Sequence, residues 1–123
     1  DRENQTISSI GLAHLGEAVY ELLVRSWLCA HGRATGKNLH RSAVELVRAE
    51  AQAERGQRIL PVLTEEELSV YRRGRNAHVN SIPHSASRSE YLKATALEAL
   101  FGWLYLQGDE DRINQLFCIM MEG

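Results

Sequence analysis

The chain has 123 residues, enough to bury one core and too few for two ordinary domains, so a single domain over 1–123 is expected. Apolar residues at 44% and charged residues at 24% exclude a disordered chain, and two prolines exclude a proline-rich linker. A formal net charge of −2 excludes a uniformly basic binder of polyanions. The first helix is expected from about Ser8 to His31, where Leu12, Leu15, Val19, Leu22, Leu23 and Trp27 follow helical spacing and Gly32 stops it. A second should run from an Asn38 cap to about Leu60, with Leu39, Ala43, Leu46 and Val47 as its inner stripe, before Pro61 breaks the chain. Thr64 and Glu67 form a capping box for a third helix ending near Gly74, with Leu63 and Leu68 placed for a hydrophobic staple. Arg75 to Ser87 has no period and many turn formers, so it is a long loop. Ser87 and Glu90 cap the next helix, which runs to Gln107 with Gly108 behind it. Asp109 caps the last, where Ile113, Leu116, Phe117 and Met120 share a face. No alternating segment of strand length remains, so the fold class is all-α.

Cys29 and Cys118 are isolated, with no CxxC and no zinc spacing, and are expected as reduced core thiols in a cytoplasmic setting. The polar first residues, Asp1 to Thr6, do not resemble a secretory leader. The longest apolar stretch, Ala94 to Leu106, falls short of the about 20 residues that span a bilayer, so no membrane partner is expected.

The small net charge hides segregation. Residues 22–49 carry five basic side chains against one acidic, and residues 68–93 repeat that ratio, while the three segments around them are acidic. Chance segregation on solvated helix faces gives the same pattern; the alternative is two basic segments folded onto one surface that faces a polyanion. Twelve of the fourteen cations are Arg, whose planar fork binds two phosphate oxygens at once.

Three places could carry chemistry. Glu98 is the one ionisable acid in a stretch that is apolar nearly all round, where a carboxylate needs a cation, a metal or donors. Its ordinary explanation is a narrow exposed strip or an Arg partner; its sharper one is a metal ligand. Gly102, one turn on, costs about 1 kcal/mol of helix propensity and points to close approach of another backbone. Glu17, Glu21 and Arg25 share one face of the first helix, Glu21 and Arg25 as an ordinary pair and Glu17 with a like charge beside it. Arg72, Arg73, Arg75, Asn76 and His78 gather at a helix end and the start of the long loop. The helix dipole explains Arg72 and Arg73, whereas Arg75, Asn76 and His78 suit phosphate and 2′-hydroxyl contacts in an RNA groove. His14, His31 and His40 lack ligand spacing and read as surface residues.

Taken in order, these pieces resemble the Mini-III ribonucleases, small relatives of ribonuclease III that have the catalytic domain without a double-stranded-RNA-binding domain. The resemblance is carried by Leu12-Ala13-His14-Leu15-Gly16-Glu17-Ala18-Val19-Tyr20-Glu21, Leu39-His40-Arg41 and Ala51-Gln52-Ala53. Stronger still are Leu63 to Glu67 running into Arg72 to Ala77, and Thr95 to Gly102. It implies an all-α ribonuclease III catalytic domain, a homodimer, and Mg²⁺-dependent endonucleolytic cleavage of double-stranded RNA, with Mn²⁺ as a possible substitute. The cleavage would leave 5′-phosphate and 3′-hydroxyl ends, in the maturation of precursor 23S ribosomal RNA. Glu98 then matches the family's metal ligand, and Glu17 stands where the family has Asp, one methylene longer. Thr95 replaces an Asp found in the larger ribonucleases III, as in Mini-III, and Glu50 is a candidate to support the ligands from behind. The resemblance thus assigns catalysis and metal binding to Glu17 and Glu98, and RNA binding to Arg72, Arg73, Arg75, Asn76 and His78. The alternative is a double-stranded-RNA-binding dimer whose catalysis is weakened by Glu17.

Overall fold

The structure, a computed structural model, describes residues 7–31, 36–77 and 87–122, the side chains of 36–38 excepted. Among the described residues every regular element is a helix: α1 (Ser9–Ala30), α2 (Gly36–Val47), α3 (Ala49–Gly56), a 3₁₀ turn (Leu60–Val62), α4 (Glu65–Arg75), α5 (Arg88–Leu106) and α6 (Glu110–Met121). Of the caps read from the sequence, those at Thr64, Ser87 and Asp109 are in place, whereas Asn38 is not a cap because α2 already begins at Gly36. The Ser8 hydroxyl accepts from the Gly11 N–H at 3.0 Å, and Asp109 accepts from Arg112 N–H at 3.1 Å. Thr64 with Glu67, and Ser87 with Glu90, close both halves of their capping boxes. Gly108, at φ +73°, takes the left-handed turn between α5 and α6 that a side chain would resist.

Two expectations change. The second helix is two helices: Arg48 is extended (φ −63°, ψ 147°) between α2 and α3, and the Val47 carbonyl accepts from the Gln52 side-chain amide at 2.7 Å instead. The apolar stripe alone does not reveal such a break, because the register resumes after it. The cysteines are not core residues, since Cys29 and Cys118 are exposed free thiols on the outer faces of α1 and α6. Gly32, the Asn38 side chain, His78 and most of the long loop lie outside the described residues.

Helix α5 is the axis of the domain. Ala96, Leu97, Ala99, Leu100 and Phe101 on it are wholly buried, and α1, α3, α4 and α6 pack around it. Tyr20 and Val24 of α1, Ile59, Tyr71 of α4, and Leu116 and Met120 of α6 complete the main cluster. Burying each Leu or Phe contributes roughly 1.5–3 kcal/mol. Outside the apolar core, Glu67 of α4 takes a two-pronged bond from Arg112 of α6, both contacts at 2.8 Å. The same guanidinium also donates to the Val62 carbonyl. This pair ties the beginnings of α4 and α6 together.

Helices α1 and α5 cross backbone to backbone at very close range. A Cβ built on Gly16 would lie 1.6 Å from the Glu98 carbonyl oxygen, and one on Gly102 would lie 2.1 Å from the Leu12 carbonyl oxygen. Only two glycines facing each other permit this approach, which meets the expectation for Gly102. Gly74 plays a similar part for α4, where a Cβ would meet Ala99 at 2.8 Å.

Candidate active site

The glycine crossing has a chemical consequence. It lays the residue after Gly16 and the residue one turn before Gly102 beside the same opening, and both are glutamates. Glu17 and Glu98 line a cleft of about 330 Å³, together with Tyr20, Glu21, Arg48, Glu50, Gln52, Tyr91 and Thr95. Helix α1 supplies the outer wall, α5 the floor, and the α2–α3 junction the opposite rim.

Glu98 is half-buried and has no Arg partner among the described residues; its neighbour is Gln52, whose Nε2 donates to Oε2 at 3.2 Å. Burial first, and then the nearby charge of Glu17, together raise the Glu98 carboxyl to about 7 against the opposing hydrogen bond from Gln52. Burial likewise raises the Tyr20 hydroxyl to about 12, so it stays neutral; it donates to the Leu46 carbonyl at 3.4 Å. The Thr95 hydroxyl donates to the Tyr91 carbonyl at 3.0 Å and offers no charge to the cleft. Glu17 is exposed and takes part in no ion pair among the described residues, whereas Glu21 pairs with Arg25, as expected.

The donor chemistry fits a divalent cation. Two carboxylates share one cleft, Glu98 with its charge disfavoured by burial, and a hard cation between them would relieve it. Among the described residues no group of three His, Cys, Asp or Glu side chains could form a cage. Waters would therefore have to complete the shell, as Mg²⁺ commonly retains them.

Of the residues singled out in the sequence, Glu17 and Glu98 are brought together. Glu50 lies on the rim with its carboxylate 3.3 Å from Arg48, which also pairs with Glu45. Arg72, Arg73, Arg75 and Asn76 are exposed at the end of α4 and do not line the cleft. They are nonetheless close in the fold, because Gly74 seats that end of α4 against Ala96 and Ala99 of α5, beside the turn that carries Glu98. His14, His31 and His40 are exposed, as read. Gln52 and Arg48 were not singled out as site residues. A Gln between two alanines on a short helix is an available signal for Gln52, but its partners lie 5 and 46 residues away in sequence.

Residues 11–109 match the model of the ribonuclease III domain. The chain belongs to the ribonuclease III family. Within that family it is 43% identical to the Mini-ribonuclease 3 of Symbiobacterium thermophilum, over 90% of this chain and 85% of that one. It is 44% identical to the Mini-ribonuclease 3 of Desulfitobacterium hafniense, over 94% of this chain and 73% of that one. A Fusobacterium nucleatum protein of known crystal structure superposes with a TM-score of 0.86 at 32% identity, covering 94% of each chain. The ribonuclease III match spans both strands of the argument, since it contains the glycine crossing, the two carboxylates and the basic end of α4.

Proposed function

We propose that this chain is a divalent-cation-dependent endoribonuclease that cleaves double-stranded RNA as a homodimer, in the maturation of precursor 23S ribosomal RNA in the cytoplasm. The observation that carries the chemistry is the convergence of Glu17 and Glu98 on one cleft, across a helix crossing that only glycine allows. The names of the relatives support the substrate class.

Glu98 and Glu17 would hold Mg²⁺, or Mn²⁺ in its place, through carboxylate oxygens. When bound, the ion supplies Lewis-acid stabilisation of a phosphate's developing charge and a water of lowered pKa. The chain's own residues do the rest. Gln52 holds the Glu98 carboxylate, and the apolar floor under Glu98 keeps bulk water from one side of it. Arg48 offers a cation at the rim for a phosphate oxygen. Arg72, Arg73, Arg75 and Asn76, with His78 beyond them, would grip the duplex backbone and its 2′-hydroxyls. Dimerisation is supported by apolar residues left uncovered on one chain: Leu22 is 66% exposed and Ile10 48% exposed, both on α1. A two-fold pair would present one cleft to each strand.

The second reading, a binding dimer with weakened catalysis, is favoured by one observation: Glu17 is longer than the Asp of the family pattern. Incubation with long duplex RNA, with Mg²⁺ or with a chelator, separates the readings. Products with 5′-phosphate and 3′-hydroxyl ends, formed only with the cation and lost in Glu98→Gln, support the enzyme. Retardation of the duplex without cleavage supports the binder. Neither result leaves a helical scaffold. Sedimentation at a mass near 13.9 kDa at micromolar concentration would contradict the dimer.

A further inference from the structure

Gln52 is only 4% exposed, a polar side chain of a kind rarely buried without cause. Both hydrogens of its amide nitrogen are committed, one to the Val47 carbonyl at 2.7 Å and one to Glu98 Oε2 at 3.2 Å. Those two acceptors fix the amide's orientation, because a flipped amide would set its oxygen against both of them. The carbonyl oxygen, Oε1, is buried and has no hydrogen-bond partner among the described residues. An orphaned buried acceptor costs about 1–3 kcal/mol. Two of the three hydroxyls that line the same cleft are engaged, Tyr20 donating to Leu46 and Thr95 to the Tyr91 carbonyl, and the third, on Tyr91, makes no hydrogen bond to Gln52. A molecule that enters the cleft with a hydrogen to donate would satisfy it.

We propose that Gln52 is a positioning residue with two tasks: its nitrogen splints the Glu98 carboxylate to the α2–α3 break, and its free oxygen accepts from a water carried into the cleft on a divalent cation. The inference rests on the cation-site reading of the cleft and assigns to that site a residue beyond the two carboxylates. It also gives the break at Arg48 a purpose. With Arg48 extended, the Val47 carbonyl is released from the helical pattern and becomes the anchor that holds the Gln52 amide in place. A structural role alone would account for the bond to Val47, but not for the unpaired oxygen.

The test is binding of Mn²⁺ alone, without RNA, by electron paramagnetic resonance titration at pH 7.5, with urea unfolding measured in parallel. Wild type, Glu98→Gln, Gln52→Leu and Gln52→Glu are compared. Gln52→Leu removes both the donor and the acceptor at similar volume and should weaken Mn²⁺ binding by roughly 10–100-fold, as for other groups that hold a metal's ligands or waters. Its fold should survive, because it removes a buried unpaired polar atom. Gln52→Glu keeps an acceptor and the chain length but loses the nitrogen that splints Glu98, and should bind more weakly than wild type yet more tightly than Gln52→Leu. Equal affinities for Gln52→Leu and wild type would overturn the proposal, as would a Gln52→Glu protein that binds no more tightly than Glu98→Gln. The latter outcome stays decisive even if Gln52→Leu fails to fold. Failure of the cation-site reading looks different: wild type and Glu98→Gln would then bind Mn²⁺ alike, and the proposal for Gln52 would fall with it.

Discussion

Gly16→Ala adds one methyl group to a helix interior, where Ala is normally favoured over Gly by about 1 kcal/mol. The structure predicts the opposite sign. The new Cβ would sit 1.6 Å from the Glu98 carbonyl oxygen and 2.5 Å from its carbon, whereas real Cβ contacts essentially never fall under 3.0 Å. Both obstructing atoms are backbone, so no side-chain rotation relieves the clash, and α1 must retreat from α5 by more than an ångström. Overpacking a core typically costs about 1–3 kcal/mol, and a clash with rigid backbone belongs at or above the top of that range. For a chain of this size a loss of about 3 kcal/mol lowers Tm by roughly 10 °C or more. The same retreat carries Glu17 away from Glu98, and a misplacement of about 1 Å can cost roughly 100-fold in rate. Urea and thermal unfolding, with cleavage of duplex RNA at a temperature where the variant remains folded, measure both effects. Gly56→Ala is the matched control, since its Cβ would meet Leu97 at an ordinary 3.7 Å, and it should be neutral or stabilising. A Gly16→Ala protein as stable and as active as Gly56→Ala would refute the account of how the carboxylates are placed.

Because the folded Glu98 carboxyl titrates near 7 against an ordinary 4.5, the fold favours its protonated form. In the presence of a chelator, stability should therefore fall by up to about 3 kcal/mol as pH rises from 4.5 through 7, and Glu98→Gln should remove that slope in urea titrations at pH 5 and pH 8. The same variant should cut duplex cleavage at least roughly 100-fold while leaving retardation of the duplex intact, as befits the loss of a ligand to a catalytic ion. Arg112→Ala strands the Glu67 carboxylate, which Arg112 holds below its ordinary range, and should cost about 3–5 kcal/mol by urea unfolding, part of it recovered by adding Glu67→Gln. Glu17→Asp restores the shorter arm of the family pattern and should raise the Mg²⁺-dependent cleavage rate, with Mn²⁺ narrowing the gap; equal rates for Glu17→Asp, Glu17→Ala and the present sequence would make Glu17 a surface residue.

What could be read from the sequence is what local chemistry decides. Thr64, Ser87 and Asp109 cap their helices through side chains three residues from their partners, so their roles are written in adjacent letters. The apolar run that made α5 the central helix, and the isolation of Glu98 within it, are legible for the same reason. Gly102 was legible as a close approach, but not its partner: that Gly16 lies opposite depends on how two helices 86 residues apart cross, which no local period encodes. The break at Arg48 and the burial of Gln52 were hidden for a related reason, since each is satisfied by the other and by Glu98. The exposed thiols of Cys29 and Cys118 show the converse limit, because the hydrophobicity of a residue type does not say which way its helix is turned.

The cleft is a place where the fold works against its own stability. Protonation would let Glu98 rest in its half-buried position, and the orphaned Gln52 oxygen would be better satisfied in water. Among the described residues Glu98 has the Gln52 amide but no cation, and the Gln52 oxygen has no donor, while Arg48 pairs with Glu50 and Arg55 donates to the Met120 carbonyl instead. A positive side chain against Glu98 would stabilise the folded chain and at the same time neutralise the charge that a divalent cation needs. Both demands would be met by something that enters the cleft carrying positive charge and hydrogen-bond donors. A hydrated divalent cation supplies both, relieving the carboxylate through its charge and the amide oxygen through its water. Among the described residues, the lack of a cation beside Glu98 and the unpaired acceptor next to it would then be two consequences of one requirement.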